Sequence, residues 1–296
     1  MHAAARAQVL LAALCFATTG TAQALGPAGT TPVGVGAARI LVGGAILVLV
    51  ARARGPRATC WAKGPVAAAV AGVAVYQLAF FAAVDDTGVA VGTIVALGSA
   101  PTLTGLFEWL LERRRPTGRW AAATALACAG VALLALAGGN ADVSPLGVGL
   151  AVAAGGAYAT YTLAAKRLLA QGHAPGSVMA VAFGLAALVL LPALVASGPG
   201  WLGHPGGIGL ALFLGIVPTA LAYLLFANGL RRLSASETST LTLAEPLTAG
   251  VLGAVVLAEP MGGASVAGAL LILGGLLVLA VRLPSPPVAA PEGAPA

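Results

Sequence analysis

The sequence predicts an all-α membrane protein with ten transmembrane helices, arranged as two inverted five-helix repeats. Hydrophobic residues make up 59% of the 296 residues and charged residues only 8%, whereas an ordinary soluble domain carries about 25% charged residues. The apolar residues form long runs, and most of the charges stand between these runs. Because a chain of this length cannot hide so much apolar surface from water, lipid is its expected solvent.

Ten apolar segments, bounded by glycine, proline or charged residues, have the roughly 20-residue length that a membrane-spanning helix needs. Together they use most of the chain and leave no room for a sizeable domain outside the membrane. We predict spans at 8–25, 34–51, 65–84, 89–111, 120–138, 146–165, 177–197, 207–229, 235–257 and 263–281.

The positive charges indicate how the chain is oriented, because cytoplasmic loops of membrane proteins are enriched in lysine and arginine. With the N-terminus inside, fourteen of the fifteen cationic residues fall on the cytoplasmic side, and only Arg39 does not. We therefore expect a multi-pass protein of the cell inner (cytoplasmic) membrane with cytoplasmic N- and C-termini. Since the cations separate apolar segments and form no patch with aromatic residues, no nucleic-acid partner is expected.

The two halves of the chain resemble one another. At a shift of about 145 residues, Pro101 aligns with Pro246 and Gly130 with Gly275, which indicates an internal repeat. Because each repeat contains an odd number of spans, the second copy must be inverted. The predicted units are a first repeat at 1–138, a second at 146–281, and a Pro- and Ala-rich cytoplasmic tail at 283–296 that is expected to be disordered.

The loop charges agree with this inversion, because a basic loop in one repeat matches a loop without basic residues in the other. The basic loop 52–64 matches 198–206, which has no lysine or arginine, and the arginine-rich loop 113–119 matches one whose only charge is Glu259. The first segment also fits a secretory signal, since it ends in Ala22-Gln23-Ala24. Because two equal repeats need this segment as their first span, we expect the protein to retain it.

The most specific portion of the sequence is the end of the second repeat. It holds Glu245-Pro246, Glu259 and Gly268, and the first repeat echoes it through Ala100-Pro101, Glu112 and Gly130. In these features the chain resembles the drug/metabolite transporter superfamily, specifically permeases with two EamA repeats, over about residues 8–281. Ala38-Arg39 is similar to the arginine that opens the second helix of that family.

The resemblance implies an integral-membrane permease, often an exporter of amino acids or other small metabolites. The sequence contains no ATP-binding motif, so we expect a secondary transporter that moves a small amphipathic solute by alternating access. The solute, the direction of transport, a proton or exchanged solute as the coupled species, and the oligomeric state stay open.

Two prolines are candidate helix breaks. Pro101 and Pro246 lie near the middle of the fourth and ninth spans, where a missing N–H leaves a carbonyl in need of another partner. Inverted-repeat carriers bind their solutes between such broken helices near the bilayer midplane. A simple packing kink is the alternative interpretation.

Glu245 is the most informative single residue. An ionised carboxylate at that depth costs several kcal/mol unless it is paired, hydrated or protonated. It either binds a cationic part of the solute or carries a coupled proton, or else it joins two helices as a protonated carboxyl. Arg39, five residues into its span, either extends outward to the membrane surface or holds a substrate carboxylate.

Several polar and aromatic side chains fall at mid-span. Tyr76, Gln77, Tyr158 and Tyr223 are candidate cavity residues that offer hydrogen bonds and ring faces to a small solute, although helix-to-helix hydrogen bonds explain them as well. Near the cytoplasmic ends, Glu108 is expected to pair with Arg113 to Arg115, and Glu237 with Arg231 or Arg232.

A membrane-embedded enzyme and a non-transporting scaffold are the alternative functions. The three histidines fall in termini or loops, no catalytic or metal-ligand motif is present, and the three cysteines show no disulfide or zinc spacing. We therefore expect neither a metal nor another cofactor, and we do not expect the protein to be an enzyme. A scaffold would need neither symmetry nor broken helices.

Overall fold

The computed structural model describes residues 2–53, 60–113, 115–136, 144–258 and 262–280, and within these residues it contains helices and no strands. The all-helical class is thus confirmed, and each predicted span falls on a helix. The predicted tail 283–296 lies outside the described residues. The helices are α1 His2–Ala24, α2 Pro32–Ala53, α3 Lys63–Gly88, α4 Val91–Glu112, α5 Gly118–Leu136, α6 Pro145–Ala170, α7 Pro175–Ala196, α8 Pro205–Leu230, α9 Ala235–Val256 and α10 Gly263–Ala280.

Eight of these helices are long and apolar enough to cross a membrane. The exceptions are α5 and α10, whose apolar stretches, Gly118–Leu133 and Gly263–Leu279, are shorter. Four helices, α2, α6, α7 and α8, begin at a proline, because the ring fixes a helical φ and the missing N–H has no partner in the first turn anyway.

A tight turn joins α3 to α4. Gly88 adopts φ 81° and ψ 157°, a conformation that is essentially restricted to glycine. Beside it, the hydroxyl oxygen of Thr87 accepts the backbone N–H of Ser144 at 3.2 Å, which ties the turn to the start of α6. The two helices therefore form an antiparallel hairpin without an intervening loop.

The helices pack in pairs that are related by a shift of five helices. Thus α5 packs on α10 and α2 on α7, while α6 packs on the α3–α4 hairpin and α1 packs on α8 and α9. The α5–α10 contact is close because of Gly130 and Gly275. A Cβ at Gly130 would lie 2.5 Å from the carbonyl oxygen of Gly268, and one at Gly275 would lie 2.6 Å from that of Ala123. At the shift of about 145 residues, Gly130 matches Gly275 and Ala123 matches Gly268.

Candidate functional site

A small cavity lies at the centre of the bundle, between α2, α3, α6, α7 and α8. Its volume of about 10 Å³ is roughly enough for one water molecule, so the cavity is too small for a metabolite in this conformation. All four predicted cavity residues line it. The lining consists of Ile40, Gly72, Val73, Tyr76, Gln77, Tyr158, Tyr161, Phe183 and Tyr223.

Aromatic rings form most of this wall. The ring centroids of Phe183 and Tyr223 lie 4.1 Å apart, and those of Tyr76 and Tyr158 lie 6.2 Å apart. The hydroxyl of Tyr161 donates to the sulfur of Met179 at 3.0 Å. Such rings offer negative faces to a cation and flat surfaces to an apolar group.

Arg39 turns inward from α2. Its Nη2 donates to Gln77 Oε1 at 3.1 Å, and its Nη1 to Thr19 Oγ1 at 3.5 Å. Arg39 Nε and Gln77 Nε2 are buried and have no hydrogen-bond partner among the described residues. This placement favours the interpretation in which Arg39 serves the cavity over the one in which it extends to the membrane surface.

Glu245 lies in the first turn of the second piece of α9 and is half-buried. It lies within electrostatic range of Arg39 and of the tyrosines Tyr76, Tyr158 and Tyr223. Arg39 thus reaches the cavity wall through Gln77, whereas Glu245 is not one of the lining residues.

The helix α9 is interrupted next to Glu245. Its first piece, Ala235–Leu241, and its second, Ala244–Val256, are separated by a turn at Thr242 and Leu243. Because Pro246 has no N–H to offer the carbonyl of Thr242, that carbonyl accepts the N–H of Glu245 instead, at 2.9 Å. The hydroxyl of Tyr158 is 3.2 Å from Thr242 Oγ1, which links the break to the cavity wall.

The two prolines differ in their effect on the backbone. Pro101 is buried inside α4, and the helix continues through it. In α9 the chain departs from a helix at Thr242 and Leu243, just before the matching Pro246. A proline alone therefore does not determine a break, and the polar residues that precede Pro246 are the local difference.

The first piece of α9 is a buried run of hydroxyl side chains that the sequence analysis did not select. Thr240 Oγ1 lies 2.8 Å from Thr124 Oγ1 of α5, and Thr104 Oγ1 of α4 lies 3.4 Å from Ser239 Oγ. The signal was available as the segment Ser-Ala-Ser-Glu-Thr-Ser-Thr at 234–240. So dense a polar run in an apolar chain predicts contacts to other helices.

The two acidic residues near the cytoplasmic ends have partners other than those expected. Glu237 forms an ion pair with Arg6 of α1 at 2.7 Å, so the expected pairing with Arg231 or Arg232 is wrong. Glu108 accepts the N–H groups of Ala235 and Ser236, each at 3.0 Å. It forms no ion pair with Arg113 or Arg115, and Arg114 lies outside the described residues. A carboxylate at a helix N-terminus is favoured by the helix dipole.

A second irregularity lies in α8, where Ile216–Leu221 forms a π-helical turn. Pro218 cannot donate to the carbonyl of Leu214, and the hydroxyl of Thr219 does so instead at 2.8 Å. Tyr223, a cavity residue, follows this turn. This turn was not predicted, although a proline at mid-span was the available signal.

Comparison with known proteins agrees with this architecture. The EamA-like transporter family matches residues 6–136 and 145–281. The chain is 42% identical over 272 residues to the uncharacterized transporter YwfM of Bacillus subtilis (strain 168), covering 92% of each chain. It is 34% identical over 131 residues to the threonine/homoserine exporter RhtA of Salmonella typhimurium (strain LT2), covering 44% of each chain.

A solved crystal structure has the same fold, with a TM-score of 0.82 and 23% sequence identity over 93% of this chain and 96% of the other. The family and the names of the relatives indicate a transporter and not an enzyme. Since the family match covers both halves of the chain, this multi-pass membrane protein belongs to the EamA-like transporter family.

Proposed function

We propose that the protein is a secondary transporter that exports a small zwitterionic metabolite, such as an amino acid, across the cytoplasmic membrane by alternating access. The proposal rests on two contacts with the aromatic cavity: Arg39 donates to its lining residue Gln77, and the hydroxyl of its lining residue Tyr158 lies 3.2 Å from that of Thr242, three residues before Glu245. The guanidinium suits a carboxylate, whereas the carboxyl of Glu245 and the faces of the tyrosines suit an ammonium group. Because the cavity holds only about 10 Å³ in this conformation, it must widen before a metabolite can enter.

We further propose that all ten helices span the membrane, as two inverted five-helix repeats at 1–138 and 146–281 with both termini in the cytoplasm. The pairwise packing supports this arrangement, because a shift of five helices converts each of the main contacts either into itself or into another main contact. The reciprocal approach of Gly130 and Gly275 at α5 and α10 supports it as well. Rocking of one repeat against the other would then open the cavity to each side in turn.

The named function of RhtA supports an amino acid as the solute and export as the direction. Proteoliposomes that contain the purified protein provide the test, with a panel of radiolabelled amino acids, amines and organic acids supplied with and without a pH gradient. We expect saturable transport of one or more amino acids and little transport of the amines or acids alone. Transport no faster than in protein-free liposomes for every member of the panel would contradict the proposal.

A further inference from the structure

A second cavity lies on the outer surface of the bundle, in the groove between α2 and α7. Its volume is about 470 Å³, within the range of sites that bind small organic ligands. Leu185 and Leu188 are 43% and 60% exposed, so the groove opens to the surroundings of the protein. This α2–α7 groove is formed by Val48, Ala51, Val181, Gly184, Leu185 and Leu188, and one end is formed by Arg52, Trp61 and Ser177.

The length of the groove matches one leaflet of a bilayer. From Ser177 to Leu188 the helical rise of about 1.5 Å per residue gives roughly 16 Å. The hydrocarbon core is about 30 Å thick, so the groove extends from a polar end to about the middle of the membrane. Both α2 and α7 are candidate membrane spans. Lipid chains therefore surround the open side of the groove.

The polar end of the groove carries a positive charge. Arg52 is exposed, and no described residue forms a hydrogen bond or an ion pair with its side chain. Trp61 is held in place by stacking on His173, with ring centroids 4.0 Å apart and planes 2° apart. Among the described residues, none that lines the groove is acidic. Its end thus complements an anionic head group, and a tryptophan at this level suits the interface between head groups and chains.

We propose that the α2–α7 groove binds an anionic phospholipid, with one acyl chain along the groove and the phosphate against Arg52. The proposal does not depend on the central cavity or on the solute. It depends on three features of this surface, namely its one-leaflet length, its apolar walls and the cation at its polar end. Basic sites between membrane helices are a known way to bind anionic lipid head groups.

Native mass spectrometry of the protein equilibrated in mixed micelles tests the charge requirement, with equal amounts of phosphatidylglycerol and phosphatidylethanolamine. We expect the wild type to retain phosphatidylglycerol preferentially and Arg52→Gln to lower that preference about fivefold, the factor that corresponds to about 1 kcal/mol per basic residue. Arg52→Lys should restore most of the preference. Arg231→Gln is the matched control, since Arg231 is exposed at a helix end but does not line the groove.

The apolar part of the site is tested by filling the groove. Val181→Phe should reduce retention of both phospholipids several-fold, whereas Val189→Phe, on the exposed part of α7 outside the groove, should have no effect. Equal retention of the two lipids by the wild type, or an unchanged preference in Arg52→Gln, overturns the proposal. The proposal is also overturned if the wild type shows a mass of two copies of the chain and Val181→Phe does not, since the groove would then be a dimer interface. If Val181→Phe does not fold, the Arg52 variants alone test the proposal.

Discussion

At the scale of single residues, Arg39 and Glu245 place two ionisable groups within predicted membrane spans. Placing an arginine or an acidic residue at the centre of a membrane helix costs about 2.5–3.5 kcal/mol on insertion scales. Arg39 donates to Gln77 in the cavity wall, and Glu245 follows the turn at Thr242, whose hydroxyl contacts Tyr158 of the same wall. Because neither side chain forms an ion pair among the described residues, we propose a role in binding for both.

Glu245→Gln keeps the shape of the side chain and removes its ionisable group. Because glutamine neither exchanges a proton nor balances a substrate cation, we expect transport to fall roughly 10- to 100-fold and its dependence on pH to flatten. The measurement is initial uptake into proteoliposomes over a range of pH values. Glu112→Gln, at the end of α4 and outside the cavity, should behave as the wild type. An unchanged rate and an unchanged pH profile would remove Glu245 from the mechanism.

Arg39→Gln tests the other charge through substrate selectivity. If the guanidinium holds the carboxylate of the solute, its loss should weaken binding of the transported amino acid roughly 10- to 100-fold. Binding of the corresponding decarboxylated amine should change much less. Competition of both compounds against labelled amino acid measures the two affinities in one assay. Equal weakening of both would indicate that Arg39 only maintains the structure.

At the scale of the helices, the two pieces of α9 are held by different means. Glu108 and Arg6 hold the start of the first piece, and hydroxyl contacts to α4 and α5 hold the rest of it. The second piece begins at the turn before Pro246 and carries Glu245. The first piece is thus anchored to neighbouring helices from its N-terminus to the break.

Glu108→Gln measures the contribution of this anchor. Glutamine has no charge and one acceptor oxygen, so it loses one of the two N–H contacts and the favourable interaction with the helix dipole. We expect the free energy of unfolding to fall by about 1–2 kcal/mol, measured by denaturant titration in micelles. Glu112→Gln on the same helix should change it by less than about 0.5 kcal/mol. Equal stability of the two variants would show that Glu108 does not anchor α9.

Much of the helical structure was predictable, because apolar runs of bilayer length leave few alternatives to a spanning helix. Mid-span depth also identified Tyr76, Tyr158 and Tyr223, since polar groups in lipid must meet other polar groups. The partner of Glu237 was not predictable, because Arg6 is distant along the sequence and close only in the folded bundle. Phe183 was missed because an apolar ring on a span looks the same whether it faces lipid or a cavity.

At the scale of the whole molecule, the proposed inversion of the repeats makes a prediction about sidedness. The exposed Cys60 lies in the basic connection before α3, and Gly200 lies in the uncharged connection before α8. In intact cells, a membrane-impermeant maleimide should not label Cys60, and it should label a Gly200→Cys variant that lacks Cys60. Permeabilised cells should label both positions. The reverse pattern would contradict the orientation.

We propose that Arg39 and Glu245 together bind a zwitterionic solute between the two repeats. The most direct test compares proteoliposomes that contain the wild type with those that contain the double variant Arg39→Gln/Glu245→Gln, with matched protein content and verified folding. We predict saturable transport of the amino acid substrate by the wild type and, for the double variant, a rate equal to that of protein-free liposomes. Equal transport by the two proteins would contradict the claim.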